Sequence, residues 1–90
     1  MPSYLVETFL ARGDAEERVA RERRARSAAT ELARESTHIR FVYSIHIPED
    51  ETCFFIFDAL SSRDAALAAA RAALDPCRVV EMVASGEEEI

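Results

Sequence analysis

Apolar and polar residues follow two different periods along the chain, and together they predict six elements of secondary structure. Segments in which β-branched and aromatic residues are frequent predict strands. Apolar residues spaced by three and four positions predict helices. The predicted strands span residues 4–10, 39–47, 52–58 and 78–83, and the predicted helices span residues 14–36 and 61–74. The order is therefore strand, helix, strand, strand, helix, strand.

Local signals predict where these elements begin. Asp14 and Ser61 each stand at a helix N-cap position, and each is followed three residues later by an acidic residue, Glu17 or Asp64, as in a capping box. Residues 48–51, Pro-Glu-Asp-Glu, predict the turn of a hairpin between the second and third strands. The residues expected to face the sheet are Ala15, Val19, Ala25, Ala28, Ala29 and Leu32 in the first helix, and Ala66, Leu67, Ala70 and Leu74 in the second.

With right-handed crossovers, this order of elements predicts a ferredoxin-like βαββαβ sandwich of the α+β class. Its sheet would have four antiparallel strands, with the first and third in the centre, and both helices would cover one face. A single domain is expected over residues 1–85, followed by an acidic tail, residues 86–90, which is expected to be disordered.

The sheet face without helices is the surface most informative about function. Burying an unpaired carboxylate is costly, so Glu7 should point away from the helices, and Leu5 and Phe9 should point the same way by alternation. The other residues predicted to lie on this face are Phe41, Tyr43, Ile45, Cys53, Phe55, Phe57, Val79, Glu81 and Val83. Monomers rarely expose so large an apolar patch, so we expect two copies to pack these faces together into a dimeric α+β barrel.

Two carboxylates on this face are the candidate chemical groups. Glu7 and Glu81 belong to neighbouring strands in the predicted sheet and could share a proton or a cation, act as a general base, or form salt bridges with Arg40 or Arg78. The residues of the predicted ligand pocket are Glu7, Phe9, Tyr43, Phe55, Phe57 and Glu81.

The segment "HIPEDETC", residues 46–53, has the composition of a metal loop. Alternation places His46 off the face of Tyr43, at the end of an edge strand. His46 nevertheless joins Glu7 and Glu81 as a candidate metal ligand, because imidazole and carboxylate both suit nickel and other divalent ions. The three consecutive carboxylates, residues 49–51, are best explained as a solvated turn that protects the sheet edge.

Charge and cysteine content narrow the class of protein. A formal net charge of −6 opposes nucleic-acid binding. The N-terminal residues lack the pattern of a signal peptide, and no apolar stretch is long enough to span a membrane, so a cytoplasmic protein is expected. Cys53 and Cys77 would lie on strands about 9.6 Å apart, beyond the roughly 7 Å limit for a disulfide, so both are expected to be reduced.

Three segments resemble one family: "YLVE", "IRFVYSIHIPEDETCFFIFDALSSRDA" and "CRVVEMV". They are similar to a group of small ferredoxin-like proteins, long catalogued as a domain of unknown function, that includes a dimeric nickel-binding protein. The resemblance implies a homodimer of ferredoxin-like domains, with nickel bound between subunits in at least one member. That member has a histidine where this chain has Tyr43, a poor nickel ligand at neutral pH, so the chain departs from the metal-binding pattern there.

These observations give three hypotheses about function. The first is a homodimeric protein that binds a small ligand or a divalent metal such as nickel between its sheet faces. The second is an enzyme of the dimeric α+β-barrel kind, a monooxygenase, isomerase or cyclase, that acts on a hydrophobic molecule with Glu7 or Glu81 as general base. The third is a purely structural dimer. None of them involves nucleic acid or a membrane.

Overall fold

A four-stranded sheet with two helices is the architecture of the computed structural model, which describes residues 1–86. The elements are β1 (Ser3–Phe9), α1 (Ala15–Arg34), β2 (Ile39–Ile47), β3 (Thr52–Ala59), α2 (Ser62–Arg71) and β4 (Arg78–Met82). All neighbouring strands are antiparallel and the order across the sheet is β2-β3-β1-β4, so the predicted central and edge strands are confirmed. The α+β architecture is compatible with a ferredoxin-like fold. Apart from Gly86, the predicted acidic tail lies outside the described residues.

The two helices begin in different ways. The Oγ atom of Ser61 accepts a hydrogen bond of 3.2 Å from the backbone N–H of Asp64, so the predicted cap of α2 is confirmed. Asp14 occupies the N-cap position of α1, but its side chain makes no capping hydrogen bond. Glu17 accepts instead a hydrogen bond of 2.9 Å from Nε of Arg21, which lowers the pKa of Glu17. The capping box predicted for α1 is therefore wrong, because Glu17 pairs with the next turn of its own helix.

Small residues bring both helices close to the sheet. The buried helical residues are Ala25, Ala28, Ala29 and Leu32 in α1 and Ala65, Ala68 and Ala69 in α2. The α1 prediction holds except for Ala15 and Val19, which are exposed. Of the residues predicted to face the sheet from α2, only Leu74, just after the helix, is buried. Most residues of α2 are alanine, so side-chain size does not distinguish its buried face from its exposed face. Leu67, the one large apolar residue within the helix, is exposed, and taking it as buried led to the wrong face. Within residues 1–86, neither helix combines the length and apolar character needed to cross a membrane.

The register between β1 and β3 decides which side chains lie beneath the helices. Tyr4 is opposite Phe57, Val6 is opposite Phe55, and Thr8 is opposite Cys53. All six side chains are buried, which confirms the assignment for β1 but makes the predicted outward placement of Cys53, Phe55 and Phe57 wrong. Residues 54–57 are four consecutive apolar residues, so β3 carries no alternation from which its phase could be predicted.

A β-bulge in β2 overturns another assignment. Phe41 lies opposite Phe57 and Tyr43 lies opposite Ile56, so two steps along β2 match one step along β3. An extra residue in one strand reverses the side to which the following residues point. Phe41 therefore lies in the core, with its ring centroid 5.6 Å from that of Phe57 in an edge-on arrangement. Tyr43 is on the uncovered face as predicted.

In the last strand, the side chains point to the opposite faces of the sheet from those predicted. Val79 and Glu81 are opposite Val6 and Tyr4, so both lie on the helix side of the sheet. Val79 packs against the core, whereas Glu81 is exposed. A carboxylate on an edge strand can reach water from either face, so the desolvation cost that orients Glu7 in the central strand does not orient Glu81. Val83 follows the end of β4 and is exposed.

Candidate functional site: the uncovered sheet face

One face of the sheet has no covering layer. The described chain extends over 36 × 35 × 20 Å, and its shortest dimension fits one layer of helices on one sheet. We call the opposite side the open face. Its apolar members are Leu5, Phe9, Tyr43, Ile45, Ile47, Phe54, Ile56, Val80 and Met82.

The centre of the open face is a continuous apolar row that crosses all four strands. Tyr43, Ile56, Leu5 and Val80 follow one another across β2, β3, β1 and β4. Ile56 is only 1% exposed although no helix covers it, because its neighbours in the row enclose it. Tyr43, the neighbour of Ile56 on β2, is 47% exposed, and Phe9 at the end of β1 is 60% exposed, so the face around the row is open to solvent. A patch of this kind on a small domain is characteristic of an interaction surface or a ligand site.

Ion pairs flank the apolar row on both sides. On one side, Nε of Arg78 donates a hydrogen bond of 2.6 Å to Oε1 of Glu7, directly across the β1–β4 pair. This is the arginine salt bridge that the sequence offered as one alternative for Glu7.

On the other side of the row, Asp58 accepts hydrogen bonds of 2.6 Å from the hydroxyl of Ser3 and 3.0 Å from Nε of Arg40. Partial burial raises the pKa of Asp58, but the hydrogen bonds from Ser3 and Arg40 and the charge of Arg40 outweigh it. The pKa of Asp58 is therefore below its usual range. The open face thus has an apolar centre between two sets of paired charges.

The two carboxylates predicted to act together are separated by the sheet. Glu7 is on the open face, whereas Glu81 is on the helix side of β4. The prediction that they share a proton or a cation is therefore wrong. Glu7 belongs instead with Phe9 and Tyr43, the other two members of the predicted pocket that do lie on the open face.

His46 lies on the opposite side of the sheet from Tyr43, as alternation predicted. It is directly across from Cys53 on the helix side, and its Nε2 atom is buried without a hydrogen-bond partner among the described residues. Ser44, two residues before it on the same side, donates a hydrogen bond of 2.6 Å to Glu22 of α1.

The candidate metal ligands do not form a site within one chain. Glu7, His46 and Glu81 lie on three strands and two faces. Over residues 1–86, no three histidine, cysteine or acidic side chains are grouped in a way that could hold a metal ion. With tyrosine at position 43 as well, these residues do not fit the nickel site that the family resemblance implies.

The "HIPEDETC" segment forms the predicted turn. Residues 48–50 make one turn of 3₁₀-helix and Glu51 adopts the left-handed conformation with φ of 50°. The carbonyl of Glu51 accepts a hydrogen bond of 2.9 Å from Leu10, and its carboxylate accepts one of 3.2 Å from the N–H of Arg12. The turn therefore fastens the hairpin to the end of β1 and does not gather its carboxylates around an ion.

Both cysteines are free, as predicted. Cys53 is fully buried, and burial raises the pKa of its thiol despite the opposing charge of Arg21. A high pKa and a closed environment are typical of a packing residue, not of a nucleophile. Cys77 is exposed just before β4.

Several members of the open face were missed by the sequence interpretation. Phe54, Ile56, Val80 and Met82 lie there in place of the predicted Phe55, Phe57, Val79 and Glu81. One signal could have corrected β4, because opposite charges prefer directly opposed positions on neighbouring strands. Pairing Arg78 with Glu7 places Val80 and Met82 on the open face by alternation.

Comparison with known proteins gives no match for this chain among family models, curated proteins or solved structures. Function is therefore inferred from the open face itself.

Proposed function

We propose that this protein is a homodimer that packs its two open faces together and binds a small hydrophobic ligand between them. The observation that supports this most strongly is the apolar row through Leu5, Tyr43, Ile56 and Val80, which a monomer leaves without a covering layer. Packing two such sheets face to face gives a dimeric α+β barrel, the assembly that the family resemblance also implies.

The dimensions and the charges of the open face suit such an interface. Four strands and seven residues per strand correspond to a footprint of roughly 19 Å by 23 Å. This is a projected area of about 440 Å², whereas stable interfaces bury about 800 Å² of accessible surface on each partner, so the whole corrugated face and its margins would have to take part. The apolar row would form the centre, and the pairs Glu7–Arg78 and Asp58–Arg40 would lie towards the margin, as in interfaces with an apolar core and a polar rim.

The side chains of the open face favour a hydrophobic ligand over a metal ion. Apolar groups supply most of the surface, and the hydroxyl of Tyr43 and the carboxylate of Glu7 supply polar contacts, which is the usual composition of a small-molecule site. Glu7 would have to release Arg78 before it could accept a proton from a substrate. The geometry therefore favours binding over the alternative of general-base catalysis.

The dimer is tested by placing a charge on the open face. Ile45 on β2 and Leu67 on α2 are equally exposed, at 42% and 43%, so Ile45→Glu and Leu67→Glu make a matched pair. We expect light scattering to give a dimer mass for the unmodified protein and for Leu67→Glu. Ile45→Glu should be a folded monomer, because a buried unpaired carboxylate opposes association. A monomeric unmodified protein, or an Ile45→Glu variant as dimeric as Leu67→Glu, would contradict the proposal.

The ligand is tested separately on the dimer. The neutral aromatic probe 2-naphthol is titrated while the NMR signals of the Ile45 and Ile56 methyl groups are followed. We expect both signals to shift in a saturable manner if a cavity lies between the sheets. A confirmed dimer whose Ile45 and Ile56 signals do not move would show a dry interface and favour the purely structural hypothesis.

A further inference from the structure

A groove runs between α1 and the edge strand β2, outside the apolar row of the open face. It has a volume of about 620 Å³, within the range of about 300–1,000 Å³ that is usual for small-molecule sites. Its floor is apolar and includes Ala29 and Phe41, and its walls carry Arg26, Arg34 and Arg40. The small side chain of Ala29 leaves depth beside the aromatic ring.

The charges around this groove are unusual for so acidic a chain. No carboxylate lines it, although the chain has a net charge of −6. Its arginines are only partly neutralised from outside. The Arg26 guanidinium lies 3.4 Å from Glu22, and that of Arg40 lies 2.9 Å from Asp58. Arg34 makes no ion pair with the described part of the chain, so the groove keeps a positive charge.

Contacts within the protein hold two of the groove's arginines, Arg26 and Arg40, in place around its apolar floor. The guanidinium carbon of Arg26 lies 5.0 Å from the centre of the Phe41 ring, a cation–π contact that holds this charge above the apolar floor. Asp58 holds Arg40 at one end of the wall by accepting a hydrogen bond of 3.0 Å from its Nε. Arg26 and Arg40 are therefore positioned before a ligand arrives, which reduces the entropy lost on binding.

The acidic residues on the same half of α1 are engaged on its other side. Arg71 of α2 contacts Glu35 at 2.7 Å and Glu31 at 3.8 Å. These contacts draw both carboxylates towards α2 and away from β2. At the C-terminal end of α1, Glu31 and Glu35 are therefore drawn towards α2, whereas Arg26 and Arg34 line the groove.

We propose that this groove binds a small anionic amphiphile, a carboxylate or a phosphate ester joined to a flat apolar body. The body lies against Ala29 and the part of Phe41 that Arg26 leaves uncovered, and the anion binds Arg34 together with the free N–H groups of Arg26. The forked donors of arginine match both kinds of anion. The anion-binding residues Arg26 and Arg34 belong to α1, on the other side of the sheet from the open face, so the binding of the anion does not depend on the dimer; Arg40, which lies at the margin of the proposed interface, is not one of these residues.

The class of ligand is tested with three probes that share one apolar body. NMR titrations with 2-naphthoate, 2-naphthyl phosphate and 2-naphthol follow the signals of Ala29 and Ala33, which both line the groove. We expect the anions to shift both signals and the neutral 2-naphthol to bind there at least about tenfold more weakly, since it lacks a charge-assisted hydrogen bond. The tighter of the two anions identifies the preferred head group.

Matched variants test the role of the arginines. Arg34→Gln and Arg26→Gln should each weaken 2-naphthoate binding by about tenfold. Arg63→Gln, at an exposed position on α2, should leave it unchanged. The proposal is overturned if the anions leave Ala29 and Ala33 unshifted, if 2-naphthol shifts them equally well, or if Arg34→Gln binds like Arg63→Gln.

Discussion

Phe54 and Phe55 are adjacent in the chain and lie in opposite environments. Phe55 is fully buried beneath the helices, whereas Phe54 lies on the open face beside Glu7. The sequence predicted the reverse, because two apolar side chains tolerate either face and leave the choice to the register with β1. Glu7 was placed correctly, because the cost of burying a carboxylate in a central strand is large. Single residues are thus predictable when the wrong face carries a large penalty.

These two residues should differ clearly in their contribution to stability. In the Ile45→Glu background, which removes the proposed dimer, Phe55→Ala should lower the free energy of unfolding by about 3–5 kcal/mol, because it leaves a cavity in the core. Phe54→Ala should lower it by less than about 1.5 kcal/mol, since its side chain is only partly removed from water. Urea unfolding of both variants measures the difference, and equal losses would place Phe54 in the core.

The helices and strands were well predicted because their signals are local. The predicted bounds of β2 are those observed, and the cap of α2 depends on Ser61 and Asp64, three residues apart. The buried face of α2 was not predictable in the same way. Its phase depends on contacts with the sheet, and an alanine-rich helix offers nearly the same small side chain in every direction.

The two helix starts provide a test of capping. Ser61→Ala should lower the free energy of unfolding by about 1 kcal/mol, because the N–H of Asp64 loses its partner. Asp14→Ala should lower it by about 0.5 kcal/mol or less, since its side chain contributes only the attraction of a negative charge to the helix N-terminus. Raising the salt concentration to about 1 M should reduce the Asp14 effect and leave the Ser61 effect in place. Equal, salt-independent losses would show that Asp14 is also a hydrogen-bonding cap.

At the scale of the whole molecule, the sheet order was predictable and the composition of its faces was not. The order of elements and the rule of right-handed crossovers were enough to predict β1 and β3 as the central strands. The faces also depend on the register of β3, the bulge in β2 and the phase of β4, and none of these has a strong signal in the amino-acid sequence. Of the residues predicted for the pocket, Glu7, Phe9 and Tyr43 share the open face, whereas Phe55, Phe57 and Glu81 lie on the helix side, and the pocket itself stays a prediction.

Carboxylates across the whole molecule should make its stability fall in acid. Hydrogen bonds from arginine hold the pKa values of Glu17 and Glu35 below their usual range, and despite its partial burial the contacts with Ser3 and Arg40 do the same for the pKa of Asp58. When such a group has a lower pKa in the folded state, the unfolded chain binds more protons as pH falls. The contribution to stability is complete above the unfolded pKa and is lost as pH falls through the folded pKa.

Unfolding in urea should therefore show a stability that is nearly constant above about pH 5.5 and declines below about pH 4.5. Asp58→Asn should make this decline shallower, because the variant has no carboxyl group to protonate at that position. Glu49→Gln serves as the control, because Glu49 is exposed in the hairpin turn. An acid decline as steep in Asp58→Asn as in Glu49→Gln would contradict the role assigned to the Ser3–Asp58–Arg40 contacts.

The bulge at Val42 limits how β2 can change length during evolution. Loss of Val42 alone would make Phe41 and Tyr43 consecutive, opposite the consecutive Phe57 and Ile56, so regular alternation would keep Phe41 in the core and Tyr43 on the open face. Loss of one residue elsewhere in β2, with the bulge kept, would move the residues on one side of the deletion to the opposite face. A relative whose β2 is one residue shorter should therefore have its alignment gap at Val42, and the two halves of β2 should be aligned as separate blocks.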